Sequence, residues 1–266
     1  MFQTTYYNIN SPKLARSFHD FRIAHLSDLH GSLHGPGNYD LIRQICKENP
    51  DIVVMTGDIA DDSKHAVTRA KHLCLRLRKH YPVYYVVGNH EQTLPEDIRR
   101  SYLAELKSAG VVVLDNNFCE INRTANGQTD QIRLYGLVTP MVYYKDIFGE
   151  YQRGAHFSAR DTCDALGHLN PAYYNILLAH NPLYFPSYRD WGADLTLSGH
   201  IHGGIIQIPK LGGLFSPDMR FFPTYDAGHF TDAGKHLVVS RGLGNNFLTR
   251  INNPEEFVVI TLKTHE

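Results

Sequence analysis

Five short apolar runs in this chain each end on a cluster of acidic, amide or imidazole side chains, an arrangement that limits the possible folds severely. Residues 21–26 run into Ser27-Asp28-Leu29-His30-Gly31, residues 51–55 into Thr56-Gly57-Asp58, and residues 83–87 into Gly88-Asn89-His90-Glu91. Residues 175–179 run into His180-Asn181-Pro182, and residues 194–197 into Ser198-Gly199-His200-Ile201-His202-Gly203-Gly204. Runs of this length, rich in Val and Ile, predict strands buried on both faces. Between the first three lie segments with apolar residues at helical spacing, residues 38–49 and 63–80. A third segment opens on Pro95, Glu96 and Asp97 and runs to Lys107 before Gly110. Alternating strands and helices predict βαβ units and a largely parallel sheet. The stretch 205–262 is richer in Gly and Pro, with strand-like runs at 236–240 and 257–262. It predicts a second, more antiparallel sheet packed on the first, with helices outside. In open α/β sheets ligands gather at the carboxyl ends of strands, and every polar cluster here lies at such an end.

With 266 residues and no linker, the chain is long enough for one large α/β domain spanning residues 1–266. The 26 basic and 27 acidic residues nearly cancel, leaving a net charge of −1 and no long run of Lys or Arg. A nucleic-acid partner is therefore not indicated, since such binders carry a basic balance or patch. Cys46, Cys74, Cys119 and Cys163 are scattered with no C-x-x-C pair. They read as small hydrophobes in a reducing compartment rather than as a disulfide framework or zinc cluster. No basic head with an apolar run opens the chain, and no stretch reaches eighteen apolar residues, so neither a signal peptide nor a membrane span is expected. The expected location is cytoplasmic, at most peripheral to a membrane.

The strand ends hold three carboxylates (Asp28, Asp58, Asp61), the Asn89 amide and five imidazoles (His30, His90, His180, His200, His202). Oxygen and imidazole donors without thiolate suit Mn, Fe, Zn, Ni or Co rather than Ca or Mg alone. Asp28-x-His30 and His200-x-His202 place both side chains on one side of an extended segment. Taken singly, each residue has a plainer reading. Asp58 or Asp61 alone could cap a helix before Ser63, Asn89 could be a turn residue, and His180 could end a strand on a backbone bond. Two imidazoles flanked by glycines, as at His200 and His202, have little packing value.

The ordered set Asp28-x-His30, Gly57-Asp58-x-x-Asp61, Gly88-Asn89-His90-Glu91, His180 and Gly199-His200-x-His202 resembles the calcineurin-like metallophosphoesterase superfamily. Gly203-Gly204, Ser240-Arg241-Gly242-Leu243-Gly244, Arg250 and Pro254-Glu255 extend the likeness toward a branch of bacterial phosphodiesterases that includes UDP-2,3-diacylglucosamine pyrophosphohydrolases. The resemblance implies a four-layer αββα fold, two mixed β-sheets packed as a sandwich and flanked by helices. It implies two divalent transition-metal ions, Mn2+ first among Fe, Zn, Ni and Co. One would sit on Asp28, His30 and His202, the other on Asn89, His180 and His200, with Asp58 bridging. A hydroxide shared by the two cations would attack phosphorus. His90 would act as general acid or phosphoryl hydrogen-bond donor, with Asp61 as its partner.

This chain departs from the family in two places. Asp62-Ser63 follows Asp61 where Ser/Thr protein phosphatases carry Arg-Gly, which points away from phosphoproteins. Ile205 stands where the branch often has Gln. The aromatic-rich segment 141–174, with Tyr143, Tyr144, Phe148, Tyr151, Phe157, Lys145, Arg153 and Arg160, is either a hydrophobic cluster under a long loop or a substrate lobe. Arg220 and Phe222, after the His-x-His loop, are the candidate substrate-binding pair. The expected reaction is hydrolysis of a phosphodiester or pyrophosphate in a small molecule or lipid-linked precursor. A nuclease of the same superfamily and a non-catalytic scaffold are the competing readings; the first would require a basic groove, the second lost ligands.

Overall fold

The computed structural model describes residues 2–125, 127–144, 156–217, 220–244 and 250–264. The first part of the chain forms β1 (Gln3–Ser11), β2 (Phe21–Leu26), α1 (Tyr39–Glu48), β3 (Ile52–Thr56), α2 (Lys64–Arg78), β4 (Val83–Val86), α3 (Asn89–Thr93), α4 (Glu96–Ser108) and β5 (Val112–Val113). It continues through β6 (Asn117–Ala125), β7 (Gln128–Leu137), α5 (Ala159–Leu166), β8 (Tyr174–Ala179), α6 (Phe185–Trp191) and β9 (Leu195–Ser198). Last come a small ribbon, β10 (Gln207–Ile208) with β11 (Gly212–Gly213), then β12 (Gly228–Asp232), β13 (Lys235–Val239) and β14 (Glu256–Thr264).

The helices start and stop where local chemistry requires. Ser63 caps α2 by accepting the Ala66 N–H at 3.0 Å, an interaction whose loss in Ser63→Ala costs about 1 kcal/mol. Helix α1 ends at Asn49 in the left-handed region (φ 47°), after burying Leu41, Ile42 and Ile45.

One sheet has the order β1-β14-β2-β3-β4-β5 and the other β12-β13-β9-β8-β7-β6. Period-two alternation gives each sheet two buried faces. Ala24, Leu26, Val53, Met55 and Tyr85 point outward under Ile45 of α1, Leu73 and Leu77 of α2 and Tyr102 and Leu106 of α4. Their neighbours Ile23, Val54, Tyr84 and Val86 point inward, against Ile132, Leu134, Ile176, Leu178 and Leu197 of the second sheet. The second sheet's outer face, with Tyr135, Leu137 and Leu177, is covered by Tyr188 and Trp191 of α6. The result is the expected helix–sheet–sheet–helix stack.

The pairing corrects one expectation. Stretch 205–262 does not form the second sheet by itself. It gives that sheet only β12 and β13, while β14 inserts into the first sheet, parallel to β1 and antiparallel to β2. Nor is the second sheet chiefly antiparallel: β7, β8, β9 and β13 run parallel, and only the edge strands β6 and β12 reverse. An apolar run carries no mark of its partner, because pairing is decided by contacts distant in sequence. Strands β1, β6 and β7 add to those expected. Their mixed burial gives no continuous apolar signal along the whole strand.

Among the described residues no helix is long and apolar enough to cross a membrane. All four cysteines are free thiols.

Candidate metal centre

Strands β2, β3 and β4 are parallel neighbours in one sheet, and β8 and β9 are parallel neighbours in the other. Their carboxyl ends meet at one edge of the sandwich, so five loops far apart in sequence converge. Backbone hydrogen bonds extend the β2–β3 ladder into the loops: Asp28 N–H to Gly57 at 3.0 Å, His30 N–H to Asp58 at 2.9 Å and Gly31 N–H to Ile59 at 3.0 Å. Across the sheets, Leu243 N–H donates to Ser27 at 3.1 Å, and within the second sheet Gly199 N–H donates to His180 at 3.0 Å.

Five of the seven candidate ligands hold positive φ: Asp28 (49°), His30 (49°), Asp58 (53°), His200 (70°) and His202 (52°). Each such residue costs roughly 1–2 kcal/mol relative to ordinary backbone, and strain of this kind persists only where the surroundings enforce it. The interlocked loop bonds enforce it here, and the outcome is a set of side chains aimed inward. Gly88 and Gly199 allow the loops to close. A Cβ on Gly88 would lie 2.2 Å from Asp58 Oδ1, and one on Gly199 would lie 2.1 Å from Asp28 Oδ2.

Donor atoms collect in three overlapping groups, each within 4.8 Å: Asp28, His30 and His202; His30, Asp58 and His90; and Asp58, His180 and His200. His30 Nε2 and His202 Nε2 approach to 3.3 Å, and His202 Nε2 lies 3.4 Å from Asp28 Oδ1. His180 Nε2 lies 3.0 Å from Asp58 Oδ2. Asn89 Oδ1 is buried with no hydrogen-bond partner among the described residues. Buried polar atoms are rarely left this way, and an orphaned amide oxygen just past the carboxyl end of β4 fits a cation.

The electrostatics agree. Burial pushes the His30 imidazole down to about 3 and lowers His202 well below its usual value, so both rings are neutral at pH 7 and keep a lone pair. Burial opposes charge on His180 too, but the Asp58 carboxylate, its hydrogen bond and Asp28 outweigh it and push the ring up to about 10. Burial raises Asp28, while at Asp58 the surrounding His180, His90 and His30 overcome burial and hold the carboxyl well below its usual range. A proton on His180 occupies a potential that suits a cation.

The remaining expected residues are less tightly drawn in. His90 is 30% exposed, packs edge-on against His30 (centroids 4.7 Å) and has Nε2 4.0 Å from Asp58 Oδ2. Asp61 accepts the Ser63 N–H at 3.0 Å in the turn into α2, so the cap itself is Ser63. Arg220 lines a cavity of about 300 Å³ with Phe157, Leu183, Tyr184, Pro186 and others, while Phe222 is 54% exposed. Within 141–174, Tyr143 and Phe157 form an aromatic cluster with Tyr184. Tyr144 reaches the centre, edge-on to His200 at 5.1 Å. Arg160 is exposed and faces Asp164 at 3.8 Å. Lys145, Phe148, Tyr151 and Arg153 lie outside the described residues.

Two further residues belong to this site, and their sequence context gives them no evident role. Glu91 is fully buried and gathers amides from two metal loops; its one signal is a carboxylate in the first turn after Gly88-Asn89-His90. Arg250 packs behind His202, with Nη2 3.1 Å from Nδ1, and nothing in its local sequence announces that contact.

A sandwich of mixed sheets with oxygen and imidazole donors at its carboxyl edge defines a metal-dependent phosphoesterase. The model for the calcineurin-like phosphoesterase family matches residues 21–204, and the chain belongs to that family. It is 28% identical to the uncharacterized metallophosphoesterase YkuE of Bacillus subtilis, over 99% of this chain and 86% of that protein. It is 27% identical to the UDP-2,3-diacylglucosamine pyrophosphatase LpxG of Chlamydia trachomatis, over 98% and 89% respectively. The phosphodiesterase YaeI of Escherichia coli is 27% identical over 91% of this chain and 82% of its own length. The crystal structure of TT1561 from Thermus thermophilus shares the fold at a TM-score of 0.50 and 11% identity, covering 84% of this chain and 89% of that one.

Proposed function

We propose that this enzyme hydrolyses a phosphodiester or pyrophosphate bond in a small molecule or lipid precursor, using two divalent transition-metal ions. The observation that carries the dinuclear reading is the place of Asp58, whose carboxylate falls in one donor group with His30 and in another with His180 and His200. A carboxylate has two oxygens to share, so one residue can serve both positions. Asp28, His30 and His202 would hold one ion, and Asn89, His180 and His200 the other. Bound there, two cations supply a water-derived nucleophile at neutral pH and offset charge on the phosphoryl oxygens.

The chain's own residues have the remaining work. His90, the most exposed imidazole of the donor groups, is placed to donate a proton to the leaving oxygen, and Asp61 is its proposed partner. Arg220 and Phe222 are proposed to meet the rest of the substrate, the guanidinium an anionic group and the ring an apolar one. The names of two relatives, a pyrophosphatase of an acylated nucleotide sugar and a phosphodiesterase, support this substrate class. Manganese is the proposed metal, because mixed oxygen and imidazole donors accept it readily.

The test is elemental analysis of purified protein, followed by a metal-supplemented screen against phosphomonoesters, phosphodiesters and nucleotide-sugar pyrophosphates. Two equivalents of metal and turnover of diesters or pyrophosphates are expected. Asp58→Asn should lose metal and turnover together. Activity confined to monoesters, or one equivalent of metal at saturation, refutes the reading.

A further inference from the structure

The two halves of the centre differ in what stands behind their imidazoles. A histidine that ligates through one ring nitrogen is a stronger ligand when the other nitrogen donates to an acceptor, which fixes the tautomer and raises the basicity of the ligating atom. His180 meets this condition. Its Nδ1 lies 2.6 Å from the Thr56 carbonyl oxygen, a bond that requires Nδ1–H and leaves Nε2, which faces Asp58, as the nitrogen that would ligate once its proton gives way to a cation.

On the other half the condition fails twice. His30 Nδ1 is buried and finds no hydrogen-bond partner among the described residues. His202 Nδ1 faces Arg250 Nη2 at 3.1 Å, and a guanidinium has donors only. Arg250 therefore accepts nothing from His202 and sets a permanent positive charge behind the ring. The Nε2 on the ring's other side points toward His30 and Asp28. The guanidinium is held there: Nη1 donates to the Arg241 carbonyl at 2.6 Å, and Nη2 also meets the Gly244 carbonyl. Swinging it away would strand both carbonyls.

We propose that the position built on Asp28, His30 and His202 binds its cation more weakly than the position built on Asn89, His180 and His200, and that Arg250 sets much of the difference. This rests on the dinuclear reading above. An acceptor behind a ligand changes metal affinity about 10–100-fold, and a like charge behind the ring acts in the same direction as a missing acceptor. A scarce metal supply then fills the His180 side first and leaves the enzyme half loaded, so turnover follows occupancy of the weaker position.

The experiment titrates EDTA-stripped, full-length protein with Mn2+ by calorimetry, with electron paramagnetic resonance counting bound and coupled ions. Two steps separated by about tenfold or more are expected. His30→Ala should abolish the weaker step and leave the tighter one, whereas Asn89→Ala should weaken the tighter one. Arg250→Gln should strengthen the weaker step about tenfold and leave the tighter unchanged. Where Arg250→Gln does not fold, the wild-type and His30→Ala isotherms still decide the ranking. Two indistinguishable steps, or loss of the tighter step in His30→Ala, overturn the inference while two ions still bind. Weakening of both steps by Arg250→Gln removes Arg250 as the cause. A stoichiometry of one overturns the dinuclear reading and this inference with it.

Discussion

The Glu91 carboxylate receives the backbone N–H of Asp58 at 2.8 Å, and it does so while also binding the loop that carries Asn89. Its Oε2 accepts the Gly88 N–H at 2.8 Å, and its Oε1 accepts Ile59 N–H at 2.8 Å, Ala60 N–H at 3.0 Å and the Tyr85 hydroxyl at 2.6 Å. One buried acceptor thus fixes the spacing between the β3 and β4 loops. Glu91→Gln keeps the shape but turns an NH2 group toward amides that need an acceptor. We predict a loss of about 2–4 kcal/mol in urea unfolding with EDTA present, together with weaker Mn2+ binding. An unchanged unfolding midpoint would show that the two loops do not depend on this carboxylate.

Gly88 is the second constraint on Asp58, by volume rather than by bonding. In Gly88→Ala the new methyl carbon would sit 2.2 Å from Asp58 Oδ1 and 2.7 Å from the Asp58 backbone nitrogen, so the Asp58 side chain and the loop that carries it must both move. The expected result is a displaced β3 loop, with Mn2+ affinity reduced about 10–100-fold or more where Asp58 is proposed to bind. Wild-type affinity in this variant would mean that Asp58 does not hold metal.

His90 is assigned the proton donor's part. His90→Asn should keep both metals while kcat on a diester with a poor leaving group falls about 10²–10⁴-fold. With an activated aryl leaving group the loss should shrink, since less proton donation is required. Asp61→Asn should show the same dependence, more weakly. Equal losses on both substrates would count against the assignment.

Arg220 and Phe222 lie beyond the metal loops, so their removal should affect binding rather than the chemical step. Arg220→Ala and Phe222→Ala should raise KM for the natural substrate with kcat little changed. Kinetics indistinguishable from wild type would place the substrate elsewhere.

His25 gives the fold an acid sensitivity of its own. It is fully buried, its Nε2 lies 2.8 Å from Thr56 Oγ1, and burial pushes the imidazole down to about 3 from an ordinary 6.5. Between those values the unfolded chain holds a proton that the folded one refuses. Stability is therefore complete above the unfolded value and falls toward acid, by roughly 1.4 kcal/mol per pH unit, until the folded value is reached. His25→Gln removes the titrating group and keeps a donor for Thr56. Unfolding free energies at pH 7 and pH 5 should diverge less in the variant, by about 2 kcal/mol. Parallel losses in both proteins would show that other groups carry the acid limb.

Local sequence was enough for the strands that bear the site and for the donors at their ends. Apolar runs at 21–26, 83–87 and 175–179 form strands because such segments must be buried, and Asp28, Asn89 and His180 stand just past their carboxyl ends, where strand pairing stops. Helices α1, α2 and α4 were legible from their spacing and caps. Which sheet each strand joins was not, and neither β14's place between β1 and β2 nor the parallel centre of the second sheet could be read from local pattern. Strands β1 and β6, at sheet edges, and β7 beside β6 alternate too irregularly to stand out.

What the chain's order of residues determined, then, was the chemistry on offer: carboxylate, amide and imidazole donors at strand ends, with glycines beside them. Only the tertiary structure decided that β2, β3 and β4 face β8 and β9 across a sandwich, which brings Asp58 within reach of both His30 and His180. It alone set Arg250 behind His202 and Thr56 behind His180. The physical reason is range. Burial and capping act between near neighbours, whereas convergence and the partner behind each imidazole depend on contacts between residues tens to hundreds of positions apart.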